Sequence, residues 1–548
     1  MSTGKQTNLN PWPALLVLCL GFFVILLDTT IVNVAIPTML DSLRASLDQI
    51  LWVINAYLLT LAVLLITASR LGDIFGPRAL FALGLGVFSI ASALCGLSQD
   101  ANQLIAARVV QGIGAAMMSP QPMVITSAIF PAERRGAAFG ILTGVTGLAA
   151  LAGPTVGGLI VTYLDWRWIF FVNVPIGLAG IFLTFRLVPD LRPGRRHSLD
   201  LVGVLLATAG LIGVVFGLIE GQRYDWGAVA RTVVTIPEII LGGAIAVALF
   251  LVWEWFQHEP LLPLSLFTNR NFSIMVWLNG LIFFAMFGLI LTMTIDFQSV
   301  LGMSAVEAGL RTVPLTLVLS AVAPFAGRLT DRIGGRFILM AGSLLFAAGI
   351  AGVALLESAT SNAWTFAAPF ALAGLGMGCM IAPAMTEAMR EVGPALAGAA
   401  SGVLNTSRQV GAAVGAAVIG AVLQNQLAGA MHDRAVADAT QLPAPYRGSF
   451  IDGFAAAAKG GFEVGRGQTG GAQIPQGLPP QVTQLMQQLI HDVFVTGFVA
   501  ALRPALAVAV VGLVLGALSC LLIVGRVSAA TPSEARLQVP RPALEEVK

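Results

Sequence analysis

Charge is what this chain has least of. Only 11% of its 548 residues are Asp, Glu, Lys or Arg, against 57% hydrophobic ones, which is less than half the charged share of a soluble domain. That scarcity excludes an ordinary water-soluble protein. The few charges gather in short clusters between long apolar runs, as the loops of a polytopic membrane protein do. A net charge of +2 offers no basic surface for nucleic acid. Cysteine and histidine are equally sparse, at four each. Cys19, Cys95, Cys379 and Cys520 all fall inside apolar segments and read as small packing residues, with no disulfide framework. His197, His258, His432 and His491 lie in separate predicted loops without a companion at metal-ligand spacing, so no metal and no cofactor are expected. The N-terminus carries one lysine and no small-residue cleavage site before its apolar core, and a removable signal peptide is not expected.

Long apolar runs are what the chain does have. Fourteen segments reach roughly the 18 residues needed to cross a bilayer: 12–39, 50–69, 79–98, 102–129, 135–162, 168–188, 200–219, 235–256, 271–298, 306–327, 336–357, 363–386, 396–424 and 493–525. Each is predicted to be helical, because a lone strand cannot satisfy its own backbone in lipid. The expected class is therefore an all-α polytopic membrane protein with 14 transmembrane helices. Arginine is denser in the even-numbered loops, at Arg70, Arg78, Arg134, Arg135, Arg328, Arg332 and in the stretch 192–196, which places both termini in the cytoplasm.

Two internal repeats organise the spans. SRLGDIFGPR (69–78) after span 2 matches GRLTDRIGGR (327–336) after span 10, and GAAFGIL (136–142) in span 5 matches GAASGVL (398–404) in span 13. Both pairs are offset by eight spans. Two parallel six-helix halves with an inserted pair, 6 + 2 + 6, satisfy both matches. The expected domains are an N-terminal bundle (1–190), two linker helices (191–265) and a C-terminal bundle (266–526). The last includes a long extracytoplasmic segment, 425–492, read as a flexible or surface-lying hairpin ahead of a partner-binding module; a disordered cytoplasmic tail (527–548) follows.

Ionisable residues inside the spans are the candidate functional groups. Asp28 lies roughly 24 Å along span 1 at 1.5 Å per residue, and Arg108 lies in the outer half of span 4, so the two are matched in depth. A carboxylate poised between desolvation and an adjacent guanidinium can carry a proton; a static buried salt bridge is the plainer alternative. Arg408 and Arg503 are further intramembrane cations, placed to line a cavity or hold a backbone carbonyl. Asp296 and Arg311 are positioned to pair across a short loop, and Glu387 sits at a water-accessible end of span 12. Asp73, Arg78, Asp331 and Arg336 are candidates for a cytoplasmic latch. Gly136, Gly140 and Gly144, then Gly153 with Gly157, recur every four residues on span 5, where Pro154 removes a backbone donor. Close, separable packing between halves would need such residues. Tyr57 is a candidate apolar substrate contact.

With these segments in place, the chain resembles the major facilitator superfamily, and within it the fourteen-helix drug:proton antiporters. SRLGDIFGPR is similar to the superfamily's loop 2–3 signature, LIAARVVQGIGAA (104–116) to the span 4 motif whose arginine, here Arg108, is tied to proton transfer, and GLAALAGPTVGG (147–158) to the span 5 antiporter motif. LDTTIVNVAIP (27–37), with Asp28, Asn33 and Pro37, resembles the span 1 motif, and WRWIFFVNVPIG (166–177) a span 6 motif of the fourteen-helix members. The resemblance implies a major facilitator fold and export of hydrophobic, often cationic, compounds in exchange for protons, with Asp28 and Arg108 in proton coupling; Asn33, Tyr57 and Arg408 are the candidate substrate contacts by their own chemistry and place in the spans. Some members carry additional acids in the C-terminal half that bind cations; this chain has Arg408 in span 13, which weakens the case for dicationic substrates.

The expected function is proton-coupled antiport in a bacterial cytoplasmic membrane by a monomer whose partners are a lipophilic small molecule, protons and lipid. A dedicated exporter of one lipid, siderophore or antibiotic would carry the same motifs. An intramembrane enzyme would need a histidine, cysteine or acidic cluster inside the bilayer, which the spans do not offer, and a non-transporting receptor would use the long outer segment.

Overall fold

The computed structural model describes residues 10–523 apart from 46, 192–199, 222–223, 225, 230–231, 258, 359–361, 391, 394–395 and 460–479. The arginines expected at 192–196, the tail at 527–548, His197, His258 and the side chain of Pro154 lie outside the described residues. The first half contains α1 (Pro11–Val34), α2 (Ile36–Leu43), α3 (Leu47–Phe75), α4 (Pro77–Leu97), α5 (Ala101–Met118), α6 (Gln121–Ile129), α7 (Ala132–Tyr163), α8 (Trp168–Phe171) and α9 (Asn173–Leu187). An inserted hairpin follows, α10 (Leu201–Glu220) and α11 (Ile236–Phe256). The second half contains α12 (Arg270–Ile295), α13 (Ala305–Arg311), α14 (Val313–Ile333), α15 (Arg336–Leu356), α16 (Ala367–Arg390), α17 (Ala397–Asp438), α18 (Ala444–Lys459) and α19 (Pro480–Ser519).

Thirteen helices among the described residues are long and apolar enough to cross a membrane, one fewer than expected. The difference is the segment 102–129, which divides into α5 and α6 at Ser119–Pro120. Pro120 and Pro122 lack the N–H that would continue the ladder, and the Pro120 carbonyl accepts a hydrogen bond from Ser401 Oγ at 2.9 Å in the other half. Span 5, by contrast, is one unbroken helix, α7, through Pro154.

Helices α3, α4, α5 and α9 pack together with α1 and α7 in the first half, and α12, α14, α15, α16, α17 and α19 in the second. Two seams join the halves, α7 against α14 and α3 against α17. They are related by the same eight-span offset as the sequence repeats, so each seam is the image of the other. Glycine makes the first seam close: a Cβ on Gly140 would stand 2.5 Å from Pro324 Cα, and one on Gly144 would stand 3.1 Å from the Ser320 carbonyl oxygen. The glycines further along α7 do something else. Gly153 and Gly157 pack on Thr30 and Ile31 of α1, inside the first half, so they are not part of the surface between halves. Hairpin α10/α11 lies against the second seam, where Trp52 and Phe216 rings meet at 5.9 Å and Asn55 Nδ2 donates to Glu220 Oε1 at 3.1 Å.

The long outer segment is not a loose loop where it is described. Helix α17 has 42 residues, roughly 63 Å at 1.5 Å per residue against a hydrocarbon core of about 30 Å. Leu427, Met431 and Ala435 form a buried stripe at four-residue spacing that packs with Phe450 and Phe454 of α18 and Met486 and Ile490 of α19. That apolar stripe is why α17 and α19 continue beyond the length of a span as a packed extension with α18. His432 and His491 ride on these helices rather than in loops.

Candidate proton site and central cavity

Helices α1 and α5 bring Asp28 and Arg108 into direct contact, as their matched depths predict. Arg108 Nη1 is ion-paired with Asp28 Oδ2, both side chains fully enclosed. Around the pair stand polar partners, one of which, Asn173, keeps its amide oxygen buried without a hydrogen bond. Gln111, one turn beyond Arg108, accepts from Arg108 Nη1 at 2.8 Å and donates to Asp28 Oδ1 at 2.9 Å. Asn173, at the start of α9, donates to Asp28 Oδ1 at 3.4 Å and to Ser92 Oγ at 3.1 Å. Arg108 Nε donates to the Val53 carbonyl at 3.1 Å, and its guanidinium lies over the Tyr57 ring at 4.1 Å. A buried ion pair is tolerable only when its remaining donors and acceptors are satisfied in this way.

Tyr57 therefore stands beside the ion pair and does not line the central cavity. Its face carries the Arg108 guanidinium and its hydroxyl donates to the Ile25 carbonyl at 3.3 Å. Asn33 does not belong to the site: it is exposed, near the end of α1, and returns its amide to the Thr29 carbonyl at 3.2 Å. Gln111, Asn173 and Ser92 were not singled out from sequence, although the first two stand inside the quoted motifs as uncharged amides in apolar spans, where a polar group without a partner is costly. That was the available signal.

The two Asp-containing repeats meet the two glycine repeats crosswise. Asp331, near the end of α14, accepts from the backbone N–H of Gly136 at 2.9 Å and Ala137 at 3.2 Å in α7. Asp73, near the end of α3, lies against Gly398 at the start of α17, and Ser69 Oγ donates to the Gly398 carbonyl. Each half thus holds a helix of the other at the same end of the bundle. Arg78 is not in this contact. It reaches Asp190 at 3.6 Å and the Val188 carbonyl at 3.3 Å beyond α9. Arg336 lies beside the Phe337 ring at 5.6 Å and forms no ion pair among the described residues.

Two further expectations, at Glu387 and at Asp296, need correcting, while Arg503 holds backbone carbonyls as expected. Glu387 is buried, not open to water: it accepts from the Gly335 N–H and pairs with Arg390 at 2.7 Å, clamping the α14–α15 turn. Asp296 does not pair with Arg311, whose guanidinium covers the Trp364 ring at 4.3 Å, while both Asp296 carboxyl oxygens are buried without a hydrogen-bond partner. Arg503 spans to the Ala354 carbonyl at 3.3 Å and the Glu357 carbonyl at 3.5 Å, far in sequence but adjacent at the end of α15.

Between the halves lies a cavity with an empty volume of about 460 Å³, counting space open to solvent. Phe22 of α1, Met123 of α6, Thr143 of α7, Phe283 of α12, Met385 of α16 and Arg408 of α17 are among its walls. Arg408 is the one ionisable residue of the lining. Asp28, six residues beyond Phe22 on α1, is not exposed to it. The geometry thus separates a sealed carboxylate site in one half from an apolar cavity shared by both, linked by α1.

Known proteins resemble this chain in sequence and in fold. The chain is 40% identical over 408 residues to an uncharacterized MFS-type transporter of Mycobacterium tuberculosis, covering 74% of this chain and 69% of that one. It is 35% identical over 507 residues to a tetracenomycin C resistance and export protein of Streptomyces glaucescens, covering 92% of this chain and 90% of the relative. Among solved structures, the human organic anion transporter MFSD10 superposes with a TM-score of 0.55 at 14% identity, covering 75% of this chain and 93% of that one, a likeness of fold alone. The family profile described as Major Facilitator Superfamily matches residues 18–416, so the chain belongs to that superfamily of transporters.

Proposed function

We propose that this protein is a proton-coupled antiporter that exports hydrophobic drugs or related small molecules across a bacterial cytoplasmic membrane, working as a monomer with both termini inside. The observation that carries the reading is the enclosed Asp28–Arg108 pair with its Gln111 and Asn173 partners, standing on the same helix as a wall of the central cavity. Ionised Asp28 is held by Arg108. A proton on its carboxylate cancels that attraction, leaving Arg108 to the Val53 carbonyl, Gln111 and the Tyr57 ring. Helix α1 then has two states of different energy, and it touches α7 through Thr30 and Ile31 at Gly153 and Gly157. Helix α7 carries the seam to α14, so protonation and closure of the halves bias one another through named contacts. In this scheme the crosswise Asp73 and Asp331 contacts close the cytoplasmic face and release when the cavity opens inward.

The test is transport by protein reconstituted in liposomes under an imposed pH gradient, followed by lumenal pH. Asp28→Asn keeps the size and most hydrogen bonds of the side chain but cannot carry the proton. Substrate-dependent proton movement is expected in the wild type and absent in the variant; full pH-driven export by Asp28→Asn would sink the proposal. A dedicated exporter of a single product is favoured by one observation, that the relative matched over 92% of this chain is named for one compound. A panel on which only one compound moves protons would select it.

A further inference from the structure

Arg408 is a cation without a counterion. It lines the cavity at 8% exposure, and no hydrogen bond or ion pair to a carboxylate joins it among the described residues. Its guanidinium lies between two aromatic rings, 5.7 Å from Phe22 of one half and 5.5 Å from Phe283 of the other. Arginine cannot discharge itself by losing a proton, and ring faces return only part of what a buried charge loses on leaving water. A second donor waits in the same wall: Thr143 Oγ1 on α7 is buried without a hydrogen-bond partner. Asp28, on the same helix as Phe22, is taken up by Arg108 and does not line the cavity.

A cavity with apolar aromatic and methionine walls, one uncompensated guanidinium and one orphan hydroxyl is made for an anion on a hydrophobic body. Resting on the transport reading above, we propose that Arg408 and Thr143 bind the ionised acidic group of an amphiphilic, ring-bearing substrate, a carboxylate or phenolate. The rings of Phe22 and Phe283 hold its apolar part. Charged substrates of this protein are then acids, and lipophilic cations are repelled by Arg408.

Equilibrium binding to purified protein at neutral pH, with no gradient applied, tests this independently of proton coupling. The probes are 1-pyrenebutyrate, its primary amide and 1-pyrenemethylammonium, which share one fluorescent ring system and differ in charge. The acid is expected to bind about tenfold more tightly than the amide, about 1.4 kcal/mol, and the cation most weakly. Arg408→Gln removes the preference for the acid while keeping amide binding, and it improves binding of the cation. Arg408→Lys keeps the order of the three, and Thr143→Val weakens the acid more than the amide. An acid that binds no better than its amide in the wild type, a preference that survives Arg408→Gln, tightest binding by the cation, or binding of none of the three would each overturn the proposal. The wild-type series decides the matter even where Arg408→Gln does not fold. Loss of proton coupling in Asp28→Asn with an unchanged acid preference would separate this binding claim from the transport mechanism.

Discussion

Asp28 and Arg108 show how few contacts keep two opposite charges inside a membrane protein. Each polar atom of the pair that faces inward has a neighbour: Gln111 bridges both charges, Asn173 and Ser92 close the carboxylate side, and Tyr57 covers the guanidinium. Removing one member of such a pair strands the other at about 3–5 kcal/mol, which is why an isosteric amide, not alanine, is the informative change at Asp28. Glu357 illustrates the opposite arrangement. Burial pushes its carboxyl from 4.5 up to about 7, against the opposing influence of a Ser358 backbone N–H and of Arg503. Asp296 stands near Glu357 as a second buried acid whose oxygens have no hydrogen-bond partner. A carboxyl whose folded value is raised costs nothing below its unfolded value, becomes progressively destabilising as pH rises from 4.5, and costs its full amount above about 7. Glu357→Gln is therefore expected to raise the unfolding temperature in detergent by a few degrees at alkaline pH and to leave it unchanged under mildly acidic conditions. An equal shift at both ends of that range would show that ionisation of Glu357 is not what burial opposes.

Among elements, the two seams carry the conformational argument. Helix ends present unpaired N–H groups and a positive partial charge, which a carboxylate from another helix can satisfy. Asp331 reaches α7 in its second turn, at the N–H groups of Gly136 and Ala137, and Asp73 stands against Gly398 near the start of α17. Replacing Asp331 by alanine removes an acceptor that two backbone donors of α7 share across the seam. Spin labels placed at the ends of α7 and α14 should report a longer, broader distance distribution in Asp331→Ala, with the α3–α17 distances changed less. The reverse pattern is expected for Asp73→Ala. Identical distributions in all three proteins would mean that glycine packing alone holds the seams.

At the scale of the molecule, two helical halves meet along α3–α17 and α7–α14, hairpin α10/α11 lies against the α3–α17 seam, and the far ends of α17 and α19 form a packed extension with α18. Movement of one half against the other must separate or slide these seams. A cysteine pair, Gly144→Cys with Ser320→Cys, places sulfurs across the α7–α14 seam, where a Cβ on Gly144 would already stand 3.9 Å from Ser320 Cα, within the approach that a disulfide requires. Oxidation is expected to abolish transport at least tenfold and reduction to restore it, with the singly substituted proteins unaffected by either treatment. Transport that continues in the oxidised pair would exclude separation of this seam from the cycle.

The membrane class, the parallel halves, the inserted hairpin and the partnership of Asp28 with Arg108 were all readable in the chain, because each leaves a one-dimensional trace. Long apolar runs, two motifs repeated at one offset and a charge in an apolar helix require no knowledge of what packs against them. What covers a residue leaves no such trace. Only the tertiary structure decided that the aspartate repeats engage the glycine repeats of the opposite half, that Gly153 and Gly157 face α1, and that Glu387 is buried while Asn33 is exposed. The continuation of α17 depends likewise on the stripe of Leu427, Met431 and Ala435 meeting partners brought near by the fold, whereas the break at Ser119–Pro120 has its local cause in Pro120 and Pro122. Local sequence sets where a helix can form and how deep its charges lie; which side chains surround those charges is settled by contacts between residues hundreds of positions apart.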